Sequence, residues 1–100
     1  MTELNAGQRK FLRSQAHHLE PSVLIGKQGL TPTVLASVDQ ALNAHELIKV
    51  RFNDHKDQKK TLSANIAQEL GAGLAGVIGH VAILYREHPE PEKRVIKLPN

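Results

Sequence analysis

Val23-Leu24-Ile25-Gly26-Lys27-Gln28-Gly29-Leu30-Thr31-Pro32 joins an apolar run to a glycine turn and the start of a helix. Three apolar residues between Pro21 and Gly26 predict a short buried strand. Two glycines around Lys27 and Gln28 then let the main chain turn without side-chain obstruction. Thr31 and Pro32 open a helix. A threonine oxygen can accept a first-turn amide, proline fits the first helical position, and proline holds its predecessor extended. Val34, Leu35, Val38, Ala41 and Leu42 recur at helical spacing, which predicts a helix over 31–45.

Upstream, Leu4, Phe11, Leu12, Ala16 and Leu19 predict an amphipathic helix over 4–19, stopped by Pro21. Arg9, Lys10, Arg13 and His17 fall opposite its apolar arc. Downstream, Leu47 to Phe52 reads as a strand, with Ile48, Val50 and Phe52 on one face and Lys49 and Arg51 on the other. Leu62, Ile66 and Leu70 mark a third helix, ended by Gly71. Ala75–Ile78 and Val81–Tyr85 are strand-like, joined by Gly79-His80 as a hairpin turn or forming one bulged strand. Residues 87–100 read as a tail, either mobile or adding a short edge strand at 94–98. The expected architecture is one α/β domain over 1–100, with its core at about 4–86. A leading helix is followed by β-α-β-α-β-β, with helices packed on a four-stranded mixed sheet.

Composition narrows the function classes. No apolar run approaches a membrane span, the first residues lack the pattern of a signal peptide, and there is no cysteine for a disulfide or thiolate site. Thirteen Lys and Arg stand against ten Asp and Glu, and residues 1–60 hold nine of those cations with six of the acids. A basic N-terminal portion suits a polyanion, although a solvated surface has the same composition.

The glycine turn carries the chemistry. It runs into a helix N-terminus, where free N–H groups and the helix dipole favour an anion, and Lys27 adds a full charge. A two-glycine loop of this kind is how KH domains clamp nucleic-acid backbone; the alternative is a turn using glycine for geometry alone. Gly71-Ala72-Gly73-Leu74-Ala75-Gly76 matches a dinucleotide fingerprint but follows a helix where the cofactor site follows a strand. It reads as a helix cap and a glycine-rich link. The six histidines show no metal-ligand spacing, and no serine has a nucleophile-elbow context. Phe11 and Phe52 read as core, leaving Tyr85 beside Arg86 as the one candidate for base stacking.

The run Arg9-Lys10-Phe11-Leu12-Arg13 with Ala16-His17, then Pro21 through Thr31, resembles the CRM domain of the bacterial YhbY-type RNA-binding family. Ala41-Leu42, His45 through Val50, Val77-Ile78-Gly79 and Leu84-Tyr85-Arg86 resemble its later blocks. The resemblance implies RNA binding through Gly26, Lys27, Gln28 and Gly29, and association with precursors of the large ribosomal subunit. It implies no catalytic residue. The expected RNA-binding set is those four with Thr31, Arg9, Lys10, Arg13, Lys49, Arg51 and Arg86. The expected protein is a cytoplasmic monomer bound to RNA in a pre-ribosomal particle, with no enzyme activity, cofactor, metal or membrane partner. The alternative is a module that docks on a ribosomal protein or maturation factor.

Overall fold

Asn5 opens the first helix. Its side chain accepts the Gln8 N–H at 2.8 Å while Gln8 Oε1 accepts the Asn5 N–H at 3.0 Å, a reciprocal cap that starts α1 at Ala6–Ala16. The computed structural model describes residues 2–99. β1 (Val23–Ile25) leads into α2 (Pro32–His45), whose cap is the Thr31 hydroxyl oxygen, accepting the Val34 N–H at 3.1 Å. β2 (Leu47–Phe52) follows, then a 3-10 turn (Lys56–Gln58) running into α3 (Lys59–Leu70), which ends at Gly71. β3 (Gly73–Ile78) and β4 (Val81–Tyr85) are separate antiparallel strands, so Gly79-His80 is a hairpin turn, with Gly79 at φ +58°.

The sheet order is β1-β2-β4-β3. β1 and β2 are parallel, with Val23 opposite Val50, and β4 lies antiparallel between β2 and β3. Helices α2 and α3 bury Val23, Ile25, Ile48, Val50, Phe52 and Leu84 on one face. Helix α1 covers the other, over Leu47, Ala75, Ile83 and Tyr85, joined there by residues of the tail. The expected sheet and helices are present, in three layers.

That second layer corrects two sequence expectations. Arg9 and Arg13 lie half-buried against the body of the protein, not on a free polar face. The glycine-rich segment after α3 is itself strand β3, where a link was expected. A Cβ at Gly73 would come within 2.8 Å of Leu4 Cδ1, and one at Gly76 within 2.9 Å of Arg13 Cδ. The missing side chains let Leu4 at Gly73 and α1 at Gly76 lie close on β3.

The described tail, 87–99, adds no strand to the sheet and is tied to the domain through Glu46. Glu46, at φ +61° and 1% exposed, accepts the His88 N–H on Oε2 at 2.7 Å. Its Oε1 accepts the Val95 and Ile96 N–H groups at 2.7 and 3.1 Å. Ile96 and Leu98 then pack on the α1 side of the sheet, and the Pro99 carbonyl accepts from Gln8 Nε2 at 3.1 Å. At the other terminus, the Thr2 N–H donates to the Ala72 carbonyl at 2.9 Å.

Tyr85 is 2% exposed in this layer and cannot stack on a base, which removes the one aromatic candidate. Burial, then the Glu46 and Glu87 charges, push its phenol up to about 12 from 10.0. The folded protein therefore keeps a proton that the unfolded chain releases. This contribution to stability is complete below pH 10 and fades as pH rises through about 12. Since this is the sole tyrosine, phenolate absorbance reads it directly. The expected signal is nearly absent at pH 10; half-ionisation there would contradict the burial.

Candidate nucleic-acid interface

The turn after β1 is held from below. The Ile25 carbonyl accepts the Asn53 and Asp54 N–H groups at 2.9 and 3.2 Å, fixing the loop base to the connection after β2. The Gly29 N–H closes onto the Gly26 carbonyl at 3.0 Å, and Gly29 takes φ +71°, a conformation that favours glycine. Lys27 and Gln28 are exposed at the tip, and nothing stands within 4 Å of where a Gly26 Cβ would be. Among the described residues, the backbone N–H groups of Lys27, Gln28 and Leu30 have no acceptor. These are the bare amides an anion needs.

His55 is the residue the sequence reading missed. It sits at φ +54° with its N–H on Asp54 Oδ1 at 2.7 Å, and its Nε2 lies 2.9 Å from the Lys27 carbonyl. A carbonyl only accepts, so Nε2 carries the proton in this contact. The same ring covers Gly29, where a Cβ would stand 3.3 Å from Nε2. His55 thus pins the loop from inside. Nothing in its polar surroundings, Asn53-Asp54-His55-Lys56, signals a partner 28 residues upstream.

The sheet gathers further cations at this end. Arg51 is exposed near the end of β2, while Lys56 and Lys59 approach from the start of α3, which has no acidic residue in its first turn. The hairpin joins them, because the Phe52 N–H donates to the His80 carbonyl at 2.7 Å. His80 Nδ1 lies 3.2 Å from Lys59 Nζ. Partial desolvation and then the charges of Lys59, Lys56 and Arg51 hold His80 below the usual histidine value.

The remaining candidates, Lys10 apart, have internal partners. Thr31 spends its oxygen on the α2 cap. Lys49 Nζ donates to the His17 and Leu19 carbonyls at 3.3 and 3.0 Å, closing the end of α1 where a cation suits the dipole. Arg13 donates to the Ala75 carbonyl at 3.0 Å and Arg9 to the Leu4 carbonyl. Arg86 donates to Asp39 Oδ1 at 2.8 Å, the Leu70 carbonyl at 2.9 Å and Asn43 Oδ1 at 2.9 Å. It locks the C-terminal halves of α2 and α3 at the end of the sheet away from the loop. Lys10 is exposed on α1. Lys27 and Arg51 therefore share an end with Gly26–Gly29, whereas Arg9 and Arg86 do not.

The family model of the CRS1/YhbY (CRM) domain matches residues 4–86, most of the chain. The chain belongs to the CRM domain family. It is 44% identical over 100 residues to a Haemophilus influenzae protein named "RNA-binding protein", covering 99% of this chain and 98% of that one. A Pseudomonas aeruginosa relative, "Probable RNA-binding protein PA4753", is 37% identical over 92% of this chain and 89% of its own. Among solved structures, the hypothetical protein SAV1595 of Staphylococcus aureus superposes with a TM-score of 0.81 at 34% identity, over 97% of this chain and 100% of that one. The matched CRM region contains both the glycine loop and its His55 brace. It stops at Arg86, so the tail that Glu46 anchors lies beyond it. Among the described residues of this CRM domain, no group of three His, Asp or Glu is placed to hold a metal. No helix among the described residues is long and apolar enough to cross a membrane.

Proposed function

We propose that this CRM domain binds RNA, gripping backbone phosphates with the Gly26–Gly29 loop, and acts in assembly of the large ribosomal subunit. One observation carries the reading: three amides without an acceptor among the described residues sit on a loop with an exposed Lys27 at its tip, which His55 holds in shape. A phosphate supplies the acceptors those amides lack. Arg51, Lys56 and Lys59 extend the positive end along which a strand would run. The names of the relatives as RNA-binding proteins support the partner class. With its tyrosine buried, recognition rests on backbone charge and shape more than on stacking. The protein works as a cytoplasmic monomer on a large-subunit precursor.

Cross-linking the protein to RNA in cells and mapping the contacts is the test. Contacts should concentrate in large-subunit ribosomal RNA, with the cross-linked peptide spanning Gly26–Gly29; contacts scattered over unrelated transcripts would remove the assembly role. A second reading, docking on a ribosomal protein, draws on Leu24 and Ile78, 55% and 58% exposed. They lie in one row with Arg51 and Val81 on the sheet face that α1 leaves open. Association with the particle that survives nuclease treatment would favour it.

A further inference from the structure

The end of the sheet beside the loop holds a second convergence of positive groups, drawn from three elements. Arg51 comes from β2, Lys56 and Lys59 from the segment entering α3, and His80 from the β3–β4 hairpin. The described salt bridges pair Arg86, Lys93 and Arg94 with carboxylates and none of these four. The charged groups acting on His80 are Lys59, Lys56 and Arg51, with no carboxylate among them.

We propose that Arg51, Lys56, Lys59 and His80 form a second anion seat, which takes a further phosphate of the RNA strand gripped by the loop, and that filling it draws one proton onto His80. The inference rests on the RNA-binding reading above. The geometry dictates the proton. Lysine has no lone pair to give, so in the 3.2 Å contact Lys59 Nζ donates and His80 Nδ1 accepts, which requires a neutral imidazole protonated on Nε2. A proton added at Nδ1 would break this contact and set two cations side by side. A phosphate reverses the balance. Lys59 turns to its oxygens, Nδ1 is released and takes a proton from solvent, and the imidazolium donates to the same anion. β1 and β4 are two strand spacings apart across β2, about 10 Å, so one strand crossing the sheet end reaches both seats.

The test measures binding of fragmented large-subunit ribosomal RNA from about pH 5.5 to about pH 8, across the histidine range. Affinity of the unaltered protein should tighten as pH falls, approaching about tenfold per pH unit where one proton is taken up. His80→Ala should flatten that dependence, and Lys59→Ala should lower the log–log salt slope by about 0.7. The His80 ring resonances should report a neutral imidazole in the free protein and imidazolium in the complex at the same pH. If His80→Ala keeps the pH dependence and Lys59→Ala keeps the salt slope, while Lys27→Glu still weakens binding, the second seat is refuted and the loop reading stands. If only the His80 and Lys59 effects appear, the seat stands and the loop reading fails. No effect from any of the three variants overturns both.

Discussion

RNA affinity is expected to fall by about tenfold to a hundredfold in the double variant Lys27→Glu, Gly29→Asp, with the fold retained. Hydrogen bonds to charged groups are each worth about 1.5–3 kcal/mol, and roughly 1.4 kcal/mol is a factor of ten. Glutamate at the tip replaces attraction of a phosphate by repulsion. Aspartate at Gly29 adds a second negative charge beside the open amides and tolerates the left-handed φ of +71° better than most residues. Its Cβ would stand 3.3 Å from His55 Nε2, so the brace has to give by a few tenths of an ångström, a modest cost. Quantitative binding to ribosomal RNA fragments, with a melting curve as control, decides the matter. Undiminished affinity in a folded variant would remove the loop from the mechanism.

Glu46→Ala is the largest expected loss of stability. The carboxylate accepts three tail N–H groups in a site 1% exposed, and removing it strips all three of their partner. Stranded donors cost about 1–3 kcal/mol each, but a freed tail can hydrate some of them, so about 3 kcal/mol is expected in total. Denaturant unfolding measures the loss, and faster amide exchange at His88, Val95 and Ile96 locates it. Acid should act similarly. Burial pushes the Glu46 pKa up, but the three amides and the His88 charge pull it further down, to a net value below 4.5. A lowered folded value means that the stabilisation is present above 4.5 and disappears as pH falls through that lower value. RNA binding by Glu46→Ala should be unchanged, because the loop lies at the other end of the sheet.

Local signals in the sequence were reliable where structure is locally determined. Thr31-Pro32 caps α2 as their chemistry dictates, Gly71 ends α3, and the alternation from Leu47 to Phe52 is a strand. Facing of side chains was harder. Lys49, Arg13 and Arg86 look like free cations in a linear reading, yet their donors end on the protein's own oxygens. A carbonyl and a phosphate are both oxygen acceptors, and no spacing rule tells which one a cation meets. The same holds for Glu46, whose burial depends on a tail some fifty residues downstream. His55 escaped notice for this reason too, its contact with Lys27 existing only once β1 and β2 are paired. The G-x-G-x-x-G pattern lies along β3, and the close approach of Leu4 and Arg13 that its glycines permit appears only in three dimensions.

Both ends of the described chain, Thr2 beside Ala72 and the tail on Glu46, are fastened at the pole of the molecule remote from Gly26–Gly29. Fusions, tags or a second copy joined at either terminus would therefore leave the Gly26–Gly29 end unobstructed. Two such units on a suitable tether should hold one long transcript with a local concentration of order millimolar for the second contact. Even a weak individual grip would then become a durable one.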